Sequence, residues 1–240
     1  MVNPLGESLT ERDYHKLETE SWIPKNIADA AGIFRVNSLQ GAEIVGRKNN
    51  SDYSGIVFLY HWPGESQVRE YRLRRDNPDL ERQSDGTTKE RAKYLSPPGR
   101  GSRLYFAPDA SPEMLADTNL SIVICEGEKK CLALSRLSRY QSEQVQFLPV
   151  GISGVWNWRG TVGREADADG TRVTTKGPIA DLDRIEWKSR KVYILLDHES
   201  NTETARKVRK ACRELAKELE GRGATVFIPV PPAIEGYRKT

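Results

Sequence analysis

The sequence predicts an α/β fold in which a parallel sheet flanked by helices follows a smaller α+β region. Apolar runs at residues 122–125, 145–150 and 191–196 each end at a glycine or an acid, and helical periodicity follows the first and the third. An earlier pair of strand-like stretches flanks a Pro-Gly turn, which indicates an antiparallel hairpin. We therefore expect an α+β region over residues 1–115 and an α/β domain over residues 116–240.

The amino-terminal region begins with two helical patterns, over residues 8–20 and 22–31, which we interpret as a packing cap. Residues 55–60 follow as an apolar strand, and residues 68–75 alternate in character as its return strand. Residues 77–89 are polar and are predicted to form a mobile loop.

Arginines are concentrated on the return strand. Arg72 and Arg74 share one face of it, a suitable geometry for two successive phosphates, and Arg75 follows them. Lys93 adds a cation beside a tyrosine, and single-stranded nucleic acid is held by such mixtures of cations and stacking rings. Residues 69–103 contain ten Lys or Arg against six Asp or Glu. These four cations are therefore predicted to contact nucleic acid, and the alternative is a solvated edge strand protected by charge.

Acidic residues follow two strands of the second region. Glu126 ends the first strand, and Asp197 and Glu199 follow the third. If these strands are parallel in one sheet, the three carboxylates converge and repel one another unless a cation lies between them. Oxygen ligands favour Mg²⁺ or Mn²⁺. The alternative is that each acid caps a helix, which accounts for Glu199 better than for Glu126.

Glycines and tryptophans surround the predicted site. Gly127 allows the backbone to turn tightly after the first acid, and Gly151 and Gly154 are predicted to let the backbone pass close to a ligand. Trp156 and Trp158 have the spacing to face one side and stack on bases, but packing is the favoured interpretation.

Lys130, at the start of the helix that follows Gly127, is predicted to reach a phosphate in the crevice beside the strand ends.

The remaining elements complete the α/β pattern. Residues 160–178 are interpreted as a flexible insertion, and residues 179–187 as a short helix. An amphipathic helix follows residue 200 and ends at Gly221, before a last strand over residues 225–230.

Two motifs in this region resemble the topoisomerase–primase (toprim) family. Its marks are a strand that ends in Glu-Gly and a later strand that ends in Asp-x-Asp, and they correspond to residues 126–127 and 197–199. The sequence is more similar to the toprim-like domain of plasmid and phage replication proteins. The patterns Glu-Gly-Glu-Lys-Lys-Ala and Gly-x-x-Gly-Val-Trp-Asn-Trp of that domain are matched at residues 126–131 and 151–158, and the resemblance covers most of the chain. Glu199 departs from the pattern, because the family has aspartate there.

The resemblance implies that Glu126, Asp197 and Glu199 hold Mg²⁺ or Mn²⁺ in a toprim-like domain that serves DNA replication of a mobile element. The implied chemistry is primase-like nucleotidyl transfer or phosphodiester cleavage, with Glu126 as general base or acid. Single-stranded DNA or RNA is the expected partner, together with a helicase module in the same or a partner chain. The alternative is a non-catalytic nucleic-acid-binding module of a larger replication protein, in which the acids are remnants.

Composition and absent motifs argue against several other classes of protein, among them disulfide-bonded, zinc-binding, membrane and nucleotide-hydrolysing proteins. The chain has 240 residues with a net charge of +3, so overall charge does not by itself indicate nucleic acid. Three cysteines without a CxxC pair indicate neither disulfides nor zinc. The sequence contains no long apolar run and no signal-peptide pattern, so we predict a cytoplasmic protein that does not enter a membrane. Nucleotide hydrolysis is not indicated, because there is no Walker loop, G-x-G-x-x-G or Ser-His-Asp arrangement.

Overall fold

The structure, a computed structural model, describes residues 5–48, 50–83, 86–166, 169, 172–197 and 202–229. It confirms the α/β class, because the described residues form a mostly parallel five-stranded sheet after a smaller antiparallel one. No helix in these ranges combines the length and the apolar character needed to cross a membrane.

The amino-terminal region packs helices against an antiparallel sheet. Its elements are α1 (Glu11–Ser21), α2 (Lys25–Ala30), β1 (Phe34–Val36), α3 (Ser38–Ile44), β2 (Gly55–Tyr60), β3 (Glu70–Arg75), β4 (Asp79–Arg82), β5 (Thr88–Arg91), β6 (Tyr94–Leu95) and β7 (Leu104–Phe106). The sheet order is β1-β2-β3-β6, and β2 pairs with β3 in the predicted hairpin. The arginine-bearing strand β3 is therefore an interior strand, and the edge-strand alternative is wrong.

The second region alternates strands and helices around the larger sheet. Its elements are α4 (Pro112–Ala116), β8 (Ser121–Glu126), α5 (Glu128–Ser138), β9 (Phe147–Ile152), β10 (Arg159–Ala166), β11 (Arg172–Pro178), a 3₁₀ helix (Ala180–Arg184), β12 (Lys191–Leu195), α6 (Thr202–Gly221) and β13 (Thr225–Phe227). The order is β13-β12-β8-β9-β7, and the first four strands run parallel. The strand β7 closes one edge antiparallel to β9.

Two segments predicted to be irregular are hairpins. Residues 77–89 were expected to be a mobile loop, but β4 pairs with β5 from Asp79 opposite Arg91 to Arg82 opposite Thr88. Residues 160–178 were expected to be a flexible insertion, but β10 pairs with β11 along most of its length. Both sequences are polar and lack the apolar face of a core strand. Their regular structure comes from the backbone hydrogen bonds between the two strands.

The two regions share packing, so the sequence boundary at residue 116 does not separate two cores. The strand β7 lies upstream of that boundary but belongs to the larger sheet. One buried cluster also spans both regions, with members from α1, β2, β7, β8 and α5, among them Leu17, Phe58, Tyr105, Cys125 and Leu132. The predicted packing cap is confirmed, because the first helices contribute buried residues to this cluster.

A buried arginine holds α4 and the start of β12 together. The Arg190 side chain is fully buried, and its guanidinium donates to the carbonyl oxygens of Leu115, Leu120 and Met114 at 2.8, 2.8 and 2.6 Å. Burial lowers the pKa of Arg190 to about 10. Since the last carbonyls of a helix have no intrahelical partner, this cation caps α4 from the neighbouring segment and places β12 beside β8.

Candidate functional site

The strand ends that carry the predicted acids meet at one edge of the larger sheet. The strands β8 and β12 are parallel neighbours, with Leu195 opposite Cys125, so Glu126 is level with Leu196 and Asp197 lies one residue further along. Both acids line a cleft of about 390 Å³, which we call the acidic cleft although cations also line it. The predicted convergence of these two residues is confirmed. Glu199, the third predicted ligand, lies outside the described residues.

Gly127 determines how the chain leaves Glu126. Its φ of +86° lies in the left-handed region that favours glycine, and its amide donates to the carbonyl of Ile152 at 2.8 Å. The helix α5 begins at the next residue, so its amino-terminal end opens on the acidic cleft. The unpaired amides and the positive end of the helix dipole therefore face the same space as the acids.

Lys130 bonds to one of the predicted metal ligands. Its ammonium group forms an ion pair with Asp197 Oδ1, and both residues line the acidic cleft. Among the described residues, no three His, Cys, Asp or Glu side chains form a group that could hold a metal ion. Glu126 and Asp197 are oxygen donors of the type that Mg²⁺ prefers, and they fit two positions of such a site. Lys130 would compete with any metal ion for Asp197.

The arginine strand is joined to α5 by a buried ion pair. Arg72 Nη1 donates to Glu128 Oε1 at 2.9 Å, and Nη2 donates to the carbonyl of Ser153 at 2.9 Å. The Glu128 side chain is 2% exposed and that of Arg72 is 14% exposed. Tyr60 also donates its hydroxyl to Glu128. Burial, and then the Glu128 charge, raise the pKa of Tyr60 well above its usual value, so the hydroxyl keeps its proton.

A second group of cations lies beside this pair. The Lys129 side chain is half-buried in the acidic cleft, and burial, followed by the charge of Arg74, lowers its pKa to about 8. Arg74 Nε is buried without a hydrogen-bond partner in the part of the chain that the structure describes. Lys93 is partly exposed and pairs with Glu90 at 2.6 Å. Arg74 and Lys93 do not line the acidic cleft, but both lie close enough to Lys129 for their charges to lower its pKa.

Arg75 is a correction to the predicted nucleic-acid contacts. Its side chain is 1% exposed, and it donates to Asp79, to Ser51 Oγ and to the carbonyl of Asp52 at 2.6 to 2.9 Å. It points to the face of β3 opposite to Arg72, because successive side chains alternate along a strand. Arg75 therefore ties the segment before β2 to the start of β4. Four of its five N–H donors are used there, and its burial keeps it from contacting a phosphate.

The predicted backbone glycines serve protein packing. Gly151 lies inside β9, where an added Cβ would come within 3.1 to 3.3 Å of Tyr105 Cβ, the Gly127 carbonyl oxygen and Cys131 Cβ. It allows β7, β9 and α5 to approach closely, and it is not a ligand-facing turn. Gly154 begins a turn in which its carbonyl accepts from the Asn157 amide at 2.8 Å.

The tryptophans after β9 are packing residues, as favoured from the sequence. Trp158 is 5% exposed and belongs to the core of the larger sheet, and Trp156 packs against that core. Arg159 lies over the Trp156 ring at 4.5 Å from its centroid.

A second cavity, which we call the side cavity, adjoins the acidic cleft. It has a volume of about 170 Å³ and shares Arg72, Tyr94 and Ser153 with the acidic cleft. The predicted site residues did not include Glu70, Arg100 or Arg103, which also line it. The two arginines were visible in the sequence as additional local cations, but a single acid on a strand carries no signal of its own.

Residues 111–230, half of the chain, match a family described as Domain of unknown function (DUF3854). No curated protein and no solved structure matches the chain.

We expect the Arg72–Glu128 pair to contribute strongly to stability. Arg72→Ala should lower the free energy of unfolding by about 3–5 kcal/mol, because it leaves a buried carboxylate without its cation. In a double-mutant cycle with Glu128→Gln, the two costs should be less than additive. Urea unfolding measures each value. Arg91→Ala removes the exposed pair with Glu81 and is the control, expected to cost about 0–1 kcal/mol. Equal losses for Arg72→Ala and Arg91→Ala would contradict the buried role.

The Lys129 pKa predicts a pH dependence of stability. Its value of about 8 lies below the usual 10.5, so between these pH values the unfolded chain binds more protons than the folded one. This group therefore makes the free energy of unfolding rise with pH across that window. Lys129→Met should remove that rise, measured as the difference between the variant and the wild type in urea at pH 7.5 and 10. Lys207→Met, at an exposed position of α6, should leave the rise intact.

Proposed function

The chain belongs to the DUF3854 family, and we propose that it is a divalent-metal-dependent, toprim-like domain that acts on nucleic acid in the replication of a mobile element. One observation carries the proposal. Glu126 and Asp197, from neighbouring parallel strands, open into a cleft that is also lined by Lys129, Lys130 and the amino-terminal end of α5. Carboxylates for a metal ion and cations for phosphate thus lie within one space.

The metal would be held by Glu126, Asp197 and Glu199, the last of which lies outside the described residues. Mg²⁺ or Mn²⁺ at these carboxylates would neutralise phosphate charge and position an attacking group. Lys130 would then release Asp197 and become available to a phosphate oxygen. Glu126, at the strand end, is the candidate general base or acid, in primase-like transfer or in phosphodiester cleavage.

The cations and the ring beside the acids fit a single-stranded ligand. Lys129 and the first-turn amides of α5 form an anion-binding end of the cleft. Tyr94, with Arg72 at 5.1 Å from its ring centroid, separates the acidic cleft from the side cavity. A strand that passes both cavities would meet alternating phosphate-binding cations and an aromatic surface. A cytoplasmic location and a helicase partner belong to the same proposal.

A non-catalytic nucleic-acid-binding module is the second candidate. The ion pair between Lys130 and Asp197 favours it, since a protein cation already balances that carboxylate. In this case the acids would orient the lysine, and binding would not depend on a metal.

Calorimetric titration of Mn²⁺ separates the two candidates. The wild type should release or take up heat at a single site, while Glu126→Gln and Asp197→Asn should each weaken binding at least about tenfold, because each removes a charged ligand. Glu199→Asp should retain or improve binding. Lys130→Met should tighten it by up to about fivefold, the equivalent of the roughly 1 kcal/mol that an exposed ion pair contributes.

Negligible heat in the wild type and in Lys130→Met would rule out the metal site and leave the binding module. Glu113→Gln, at an exposed acid of α4, is the charge-matched control and should not change the titration.

Binding of a short single-stranded oligonucleotide is expected to weaken steeply with salt. The slope of log affinity against log salt should be about −0.7 for each phosphate contact. Lys93→Ala should make the slope shallower by about 0.7. Lys207→Ala, on α6, should not change it. Fluorescence anisotropy over a series of salt concentrations measures the slopes, and identical slopes for Lys93→Ala and the wild type would remove Lys93 from the interface.

A further inference from the structure

The side cavity contains a buried carboxylate that forms no ion pair within the described residues. Glu70 begins β3 and is 5% exposed. Within the described residues its side chain accepts one hydrogen bond, from the amide of Tyr71 to Oε1 at 3.1 Å, and it forms no salt bridge. Burial raises the pKa of Glu70, as expected for a carboxylate withdrawn from water. A buried acid usually has a cation or several donors around it, so Glu70 retains acceptor capacity toward the cavity.

Cations and a ring complete the lining of this cavity. Arg100 and Arg103 are close enough to Glu70 for their charges to lower its pKa, although neither forms an ion pair with it. Arg103 Nε is buried, and no hydrogen-bond partner for it lies in the described ranges. Tyr94 forms the wall shared with the acidic cleft. The side cavity therefore presents unused acceptors, an unused donor and an aromatic surface.

These groups select a particular kind of ligand. The ligand must offer N–H donors to Glu70, a flat face to Tyr94 and an anionic group to the arginines. A nucleotide has all three, and about 170 Å³ is enough for one base. Among the bases, guanine presents two adjacent donors, N1–H and the N2 amino group, which match the two oxygens of a carboxylate. Adenine and cytosine each present an amino group beside a ring acceptor, which a carboxylate repels.

We propose that the side cavity is a guanine-selective nucleotide subsite, in which Glu70 accepts from the base and Arg100 and Arg103 contact its phosphate. This inference rests on the proposed nucleic-acid ligand but does not require the metal. In the proposed function it places one guanine of the strand next to the acidic cleft, across the Tyr94 wall.

The test measures binding of GMP, IMP, AMP and CMP to the full chain by calorimetry in EDTA. The wild type should bind GMP about tenfold to a hundredfold more tightly than AMP or CMP, the discrimination typical of a bidentate contact to a base. IMP, which keeps N1–H but lacks the amino group, should be intermediate. Glu70→Gln should abolish the preference for GMP while AMP binding stays within about twofold of the wild type.

Matched variants separate base recognition from a structural role. Glu113→Gln should keep the preference, because this acid lies outside both cavities. Arg103→Ala should weaken all four nucleotides alike. If Glu70 only steadied the arginines, Glu70→Gln would weaken all four equally and leave the ratio unchanged, which would overturn the proposal.

If Glu70→Gln does not fold, the wild-type affinities alone still test whether the side cavity selects guanine. Equal affinities for the four nucleotides, or no binding, would overturn the subsite. Because metal is absent from this experiment, failure of the Mn²⁺ titration leaves its result unaffected, and a negative result here leaves the metal site standing.

Discussion

The buried pair between Arg72 and Glu128 is the contact on which the rest of the site depends. It joins an interior strand of the antiparallel sheet to the first turn of α5, and α5 begins directly after Glu126 and Gly127. The hydroxyl of Tyr60 and the carbonyl of Ser153 complete the contact. Because a desolvated charge is costly without its partner, these groups hold the two sheets in one relative position. The acidic cleft lies along this junction.

The acidic cleft balances opposite charges at short range. Asp197 is paired with Lys130, and Lys129 is held in a half-buried position where protonation is disfavoured. In the proposed function, a divalent ion would take the place of the Lys130 ammonium at Asp197, and a phosphate would stabilise the protonated form of Lys129.

Local charge counted along the sequence overstates the basic surface. Arg75 pairs with Asp79, and Arg69 donates two hydrogen bonds to Asp181 at 3.0 and 2.6 Å. Arg72 pairs with Glu128. These arginines hold loops and sheets together. Other cations near the site in the described ranges include Arg74, Arg100, Arg103 and Lys129, together with Lys93 and Lys130, which pair with Glu90 and Asp197. The arginine-rich strand is therefore first a structural element, and only in part a binding surface.

The sequence by itself determined the α/β class, the hairpin of β2 and β3, and the meeting of Glu126 with Asp197. These follow from apolar periodicity and from parallel strands ending at one edge, which are local properties of the chain. Only the tertiary structure decided which face of β3 meets α5, that Arg75 is buried, and that Glu70 lies in a cavity. Burial and ion pairing depend on residues far apart in sequence, such as positions 72 and 128, and no local pattern encodes that encounter.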